Sequence, residues 1–190
     1  DGTKILASKV VITTGTYMDS HIIKGEEKIS SGPDDFRTNK SLSDCLRKAS
    51  IDLFKLKTGT PARVLLDSVD FSQAEIATGD NEQLAFSFYE PNYVRFEEQL
   101  PCYLIYTNSN THKIINDNIT KSAMYSGVIE GVGPRYCPSI EDKLTRFADK
   151  DRHQLFLEPE SRTMNTIYVQ GFSTSMPDDI QDLMIKSLPG

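Results

Sequence analysis

Cys137 stands between Tyr136 and Pro138 in the run GPRYCPSIEDK, Gly133 to Lys143. Ser139 followed by Glu141 and Asp142 is the pattern of a capped helix start. A thiol just upstream of such a start sees the positive end of the helix dipole, which favours the thiolate. Arg135 adds to that effect, and Glu141 and Asp142 oppose it. A thiolate there can add to an electrophilic carbon or move protons as a general acid or base. The alternative is a small buried hydrophobe, the ordinary place of a free cysteine, and the residue types fit both.

A second run, LKTGTPAR from Leu56 to Arg63, is a tight Thr-Gly-Thr-Pro turn flanked by Lys57 and Arg63. Such a turn can offer backbone N–H groups and two cations to a phosphate or carboxylate, or form a basic turn on a solvated face. Gly131 and Gly133 do not complete a dinucleotide fingerprint, because Tyr136 stands where the third glycine belongs. Arg135, Lys143 and Arg146 can neutralise phosphates or face water. GFSTSMP, Gly171 to Pro177, puts the hydroxyls of Ser173, Thr174 and Ser175 before a helix, where they cap that helix or line a cleft. The β-branched run ending at Thr13-Thr14-Gly15 suits a strand meeting a phosphate-bearing ligand, or a plain strand and turn. His21, His112 and His153 show no ligand spacing, so no metal site is predicted. Glu158 and Glu160 either orient a ligand hydroxyl or are surface carboxylates.

The elements that must position these residues are mixed. Strands are predicted over 9–13, buried, and over 52–56, 84–88, 103–106, 154–157 and 166–170, from β-branched and aromatic residues. Helices are predicted over 41–49, capped by Ser41, over 111–122, capped by Thr111, and over 177–188, with Asp178 and Asp179 in the first turn. Helical spacing of Leu42, Cys45, Leu46 and Ala49 reads Cys45 as core. The segments 26–40 and 67–81 are polar and read as loops.

At 190 residues the chain can bury the core of one domain or parts of two. Its 38% hydrophobic and 25% charged residues suit a globular protein and exclude a disordered tail. The net charge of -6 argues against a nucleic-acid binder by bulk electrostatics and leaves room only for local basic patches. No apolar run is long enough for a membrane helix. Cys45, Cys102 and Cys137 form no CxxC pair, which fits free thiols. The opening DGTKI turn carries the expectation of the middle of a longer protein.

These runs, with VVITTGTY (10–17), DFS (70–72), QLPCYLIYTN (99–108), MYSG (124–127) and RHQLFLEPE (152–160), occur in the order of the MnmG (GidA) family. The chain resembles that family over nearly its whole length. Its members are flavoproteins that modify the wobble uridine of certain tRNAs. The resemblance implies an α/β fold: residues 1–60 and 151–190 in a glutathione-reductase-type FAD-binding domain, and 61–150 in an inserted, smaller NAD-binding-like domain. It implies flavin contacts at Thr14, Gly15 and Thr16. It implies a nicotinamide-dinucleotide contact along Gly133, Pro134, Arg135, Tyr136, Cys137, Pro138, Ser139, Ile140, Glu141, Asp142 and Lys143. Cys137 matches a catalytic cysteine, and Lys57, Arg63, Arg135, Lys143 and Arg146 are the tRNA candidates. FAD as redox cofactor, NADH as reductant, methylene-tetrahydrofolate as carbon donor, an MnmE-type GTPase partner, a homodimer and a cytoplasmic location follow from the same resemblance. The chain departs from the family at Ser31, Gly32 and Pro33, where relatives carry Gly-Gly-Arg. The family's further catalytic cysteine lies in its N-terminal part, and Cys45 and Cys102 do not substitute for it. Without the family's upstream flavin fingerprint, the isolated segment is expected to be inactive and to bind FAD weakly or not at all. The competing readings are a folate- and FAD-dependent tRNA uridine methyltransferase of the TrmFO type, and a module that only binds tRNA or the partner.

Overall fold

The computed structural model describes residues 2–89, 92–129, 131, 133 and 138–190. The site candidates Pro134, Arg135, Tyr136 and Cys137 therefore lie outside the described residues. In chain order the elements are strands β1 (Ile22–Lys24) and β2 (Glu27–Ile29), helix α1 (Lys40–Lys48), strands β3 (Arg63–Leu65), β4 (Glu75–Ala77) and β5 (Cys102–Tyr106), helices α2 (Ser109–Asp117) and α3 (Ile140–Arg146), strands β6 (Gln154–Pro159) and β7 (Thr166–Gln170), and helix α4 (Asp178–Lys186). They fall into two compact units, Asp1–Ile23 with Glu27–Phe54, and Lys24–Glu26 with Lys55–Gly190.

In the first unit α1 begins one residue earlier than the sequence predicts. Asn39, not Ser41, caps it, its side chain accepting the Leu42 N–H at 3.1 Å. Cys45 is exposed, which corrects its reading as core. The buried strand predicted at 9–13 makes no strand pairing, and Val10 and Val11 are 80% and 84% exposed. A β-branched run favours an extended backbone, but a strand exists only where a neighbour completes its ladder. Gly32 is required by a close approach, since a Cβ there would sit 2.6 Å from the Tyr17 ring.

The second unit is built on a five-stranded sheet of order β3-β7-β6-β5-β4, antiparallel at every pairing. Register aligns Ile105 with Leu155 and Leu157 with Val169, and Val64 with Ile167. These period-two residues share one face and are buried or packed against the core. Ile115 of α2, Ile140 and Leu144 of α3, and Ile180 and Met184 of α4 cover that face. Phe172 and Met176, in the connection between β7 and α4, complete the core. The opposite face carries Arg63, Tyr168 and Glu158 in register.

The class is mixed α/β, and strands stand at 103–106, 154–157 and 166–170, where the β-branched and aromatic residues predict them. Residues 84–88 form no strand; Phe86 and Phe88 are exposed. Residues 52–56 form no continuous strand. The helix predicted over 111–122 begins at Ser109, because Asn108 accepts the Thr111 N–H at 2.9 Å, and a short 3-10 turn at Ile119–Lys121 replaces its end. Among the described residues no helix is long and apolar enough to cross a membrane, and no group of three or more His, Cys, Asp or Glu could hold a metal ion.

Candidate functional site

The start of α3 is fixed by a reciprocal cap. Ser139 Oγ accepts the Asp142 N–H at 3.2 Å, and Asp142 Oδ2 accepts the Ser139 N–H at 3.3 Å. The next N–H, that of Ile140, donates to the Ser173 carbonyl at 2.7 Å. Ile140 and Leu144 hold the inner face of α3. Glu141 is turned inward as well and is fully buried. Its Oε1 accepts from Thr174 Oγ1 at 2.7 Å, Ser122 Oγ at 3.0 Å and the Ser175 N–H at 3.2 Å. Ser122 and Ser175 hydroxyls also meet each other at 2.9 Å. Glu141 Oε2 is buried without a hydrogen-bond partner among the described residues.

The Thr-Gly-Thr-Pro turn reaches the same place from the other side. Thr60 bridges Thr174, and the Thr174 N–H donates to the Thr60 carbonyl at 3.4 Å. Gly59 lies so close to Ser173 that a Cβ on it would be 2.8 Å from the serine Cβ. Lys57 Nζ stands 3.8 Å from Asp142 Oδ2 and 3.3 Å from Met124 Sδ, with both charged side chains largely covered. Gly133 rests on the Lys57 stem, where a Cβ would meet Cε at 2.8 Å. Lys143 Nζ donates to the Gly171 carbonyl at 2.7 Å, and burial pushes its ammonium below the usual lysine range. Four runs distant in sequence, 57–63, 122–124, 138–143 and 171–177, thus meet at one helix start.

The other candidates lie elsewhere. Arg63 is on the sheet face away from the helices, paired with Glu160 at 2.6 Å and placed over the Tyr168 ring at 5.5 Å. Glu160 also accepts from Thr166, and these bonds, the threonine's first, hold its carboxyl below the usual range. Glu158 is pushed the other way by burial. Arg146 is exposed in the last turn of α3. Thr14, Gly15 and Thr16 belong to the first unit, in an exposed turn that is left-handed at Gly15. Cys102 is half-buried on β5, and burial, then the Glu158 charge, pushes its thiol up, away from reactivity.

Sequence reasoning missed the inward role of Glu141 and the part played by Ser122. The available signal was Glu141's place directly after Ile140 in the first turn, at the edge of the α3 apolar stripe. It also missed a histidine pair, His153 buried and His112 half-buried. The His112 and His153 rings lie 5.6 Å apart; Thr107 Oγ1 meets His112 Nε2 at 2.7 Å and accepts the His153 N–H at 2.8 Å. Burial is the main cause that holds both imidazoles below the usual histidine range.

Comparison with known proteins places these residues in a wider frame. The family described as Glucose inhibited division protein A matches residues 1–190. The chain is 53% identical over 186 residues to a protein of Ureaplasma parvum named tRNA uridine 5-carboxymethylaminomethyl modification enzyme MnmG, covering 98% of this chain and 30% of that one. A protein of the same name from Mycoplasma capricolum is 56% identical over 184 residues, covering 97% of this chain and 29% of its own length. The solved structure of Aquifex aeolicus GidA superposes with a TM-score of 0.82 at 43% identity, over 94% of this chain and 30% of that one. The chain therefore spans about 30% of the length of the relatives it matches.

Proposed function

Because the chain belongs to the family described as Glucose inhibited division protein A, we propose that its full-length protein modifies carbon 5 of the wobble uridine of tRNA and that the site at the start of α3 serves that reaction. The observation that carries this reading is the meeting of the four runs on Glu141, Thr174 and Lys57. The names of the relatives supply the substrate class.

Carbon 5 of uridine is a poor nucleophile until a group adds to carbon 6 and leaves an enolate. In this reading Cys137 either forms that bond as a thiolate or moves the proton at carbon 5. Lys57 and Lys143 are kept as tRNA candidates from the family; Lys57 is paired with Asp142 and Lys143 donates to the Gly171 carbonyl, so either must leave its partner to meet a phosphate. Arg63, Arg135 and Arg146 remain further candidates for that role. The exposed, left-handed turn at Gly15 admits close approach of a ligand, which fits a flavin at Thr14, Gly15 and Thr16. FAD bound there would supply the redox chemistry. The described part of 133–143 does not fit a nicotinamide pyrophosphate. Gly133 is filled by the Lys57 stem, and the N–H groups of Ile140 and Asp142 are used within the chain. NADH is thus proposed as reductant from the family alone, as are methylene-tetrahydrofolate, an MnmE-type GTPase partner, a homodimer and a cytoplasmic location. The division into 1–60, 61–150 and 151–190 is likewise kept as a proposal for the whole protein.

The test is the full-length protein with Cys137→Ser, assayed by nucleoside mass spectrometry of its tRNA. Loss of the modified uridine with normal flavin content is expected. A normal rate removes Cys137 from the chemistry.

A further inference from the structure

We propose that Glu141 is a positioning residue: one buried carboxylate oxygen fixes the turns 122–124 and 173–175 against the first turn of α3, and through Thr174 and Thr60 the turn 57–63. This rests on the uridine-modification reading and gives Glu141 a role other than the cofactor contact implied by the family. Three donors from two separate turns converge on Oε1: the Ser122 and Thr174 hydroxyls and the Ser175 N–H, at 2.7 to 3.2 Å. The side chain has no exposed surface. Its other oxygen has no partner among the described residues. An unpartnered buried carboxylate oxygen is costly, and an apolar side chain of similar volume fills such a space at less cost. What an apolar residue cannot do is hold three donors at one point. The geometry of a satisfied polar centre is specific where apolar packing is permissive.

The consequence spreads beyond the contacts themselves. Thr174 is held by Glu141 on its hydroxyl and by Thr60 on its N–H. Ser173 is held by Ile140 on its carbonyl and is packed on Gly59. Ser175 Oγ also accepts the Met124 N–H at 3.3 Å, and Met124 touches Lys57 Nζ. Releasing Glu141 loosens both flanking turns and the seat of Lys57 together.

The test uses the full-length protein with Glu141→Leu and Glu141→Gln. Two readouts are taken: hydrogen–deuterium exchange of the amides at 122–124 and 173–175, and kcat and KM for tRNA modification. Glu141→Leu is expected to raise exchange in both turns and to lower kcat about 100-fold with KM little changed, the scale of a roughly ångström-sized misplacement. Glu141→Gln keeps an oxygen acceptor and is expected to restore most of both. If Glu141→Leu does not fold, Ser122→Ala and Thr174→Val take its place. Each is expected to raise exchange in the other's turn as well as its own. Wild-type exchange and kcat in Glu141→Leu overturn the proposal, as do equal losses in the leucine and glutamine variants, or exchange confined to the substituted turn. Wild-type protein inactive on tRNA would refute the uridine-modification reading, while the exchange readout still decides the role of Glu141.

Discussion

Gly59→Ala tests the packing of the turn 57–63 on the turn 171–177. The glycine has no left-handed φ, so the added methyl group meets no backbone obstacle of its own. Its obstacle is Ser173, whose Cβ would lie 2.8 Å away. Carbon atoms pack at about 3.5–4.0 Å, so one turn must move by most of an ångström. Ser173 cannot easily yield, because its carbonyl accepts the Ile140 N–H at 2.7 Å and the next residue is held by Glu141. Overpacking of this kind costs about 1–3 kcal/mol. For a chain of this size that is a fall in melting temperature of roughly 2–12 °C. Thermal unfolding followed by circular dichroism measures it. The double variant Gly59→Ala with Ser173→Gly removes the opposing Cβ, so it should recover most of the loss and give a favourable coupling in the double-mutant cycle. An unchanged melt in Gly59→Ala, or additive losses in the double variant, would refute the close approach.

The histidine pair makes stability depend on pH. His112 and His153 are held below the usual histidine range, so the unfolded chain binds more protons and stability rises with pH. That stability is complete above about pH 6.5 and is lost as pH falls through the lower folded values; Lys143, Lys150 and the neighbouring imidazole oppose charging of His153, while Asp151 favours charging of His112. Urea unfolding at neutral and mildly acid pH checks the sign, and His153→Gln should flatten the dependence. Iodoacetamide should modify Cys45, which is exposed, well before Cys102, whose thiol is pushed up by burial; peptide mass spectrometry orders the two. Ser139→Ala removes half of the α3 cap and should cost about 1 kcal/mol in urea unfolding.

What the sequence revealed depended on whether the deciding partner was local. Thr166–Gln170 was legible because alternating Ile167 and Val169 need only a sheet with one covered face. The α3 cap was legible because Ser139 and Asp142 lie three residues apart. The run at 9–13 has strand propensity without a ladder partner, so propensity alone misleads. Thr111 has the chemistry of a cap, but the helix starts earlier, where Asn108 accepts the Thr111 N–H. The sequence puts Glu141 in the first turn of a capped helix, opposing the Cys137 thiolate; its hydrogen-bond partners, Ser122 and Thr174, come from distant turns that no local pattern announces. Arg63 beside Lys57 in one short run suggested a shared ligand, yet β3 carries Arg63 to the far sheet face.

Zero-length carbodiimide coupling of the folded protein tests most directly the meeting of the turn 57–63 with the start of α3. Lys57 Nζ and Asp142 Oδ2 are 3.8 Å apart, and Lys24 with Asp178, at 2.7 Å on the surface, serves as the internal control. Peptide mass spectrometry should find Lys57 joined to Asp142, and Asp142→Asn should abolish that product alone. Coupling of Lys24 to Asp178 with no Lys57–Asp142 product would contradict the account.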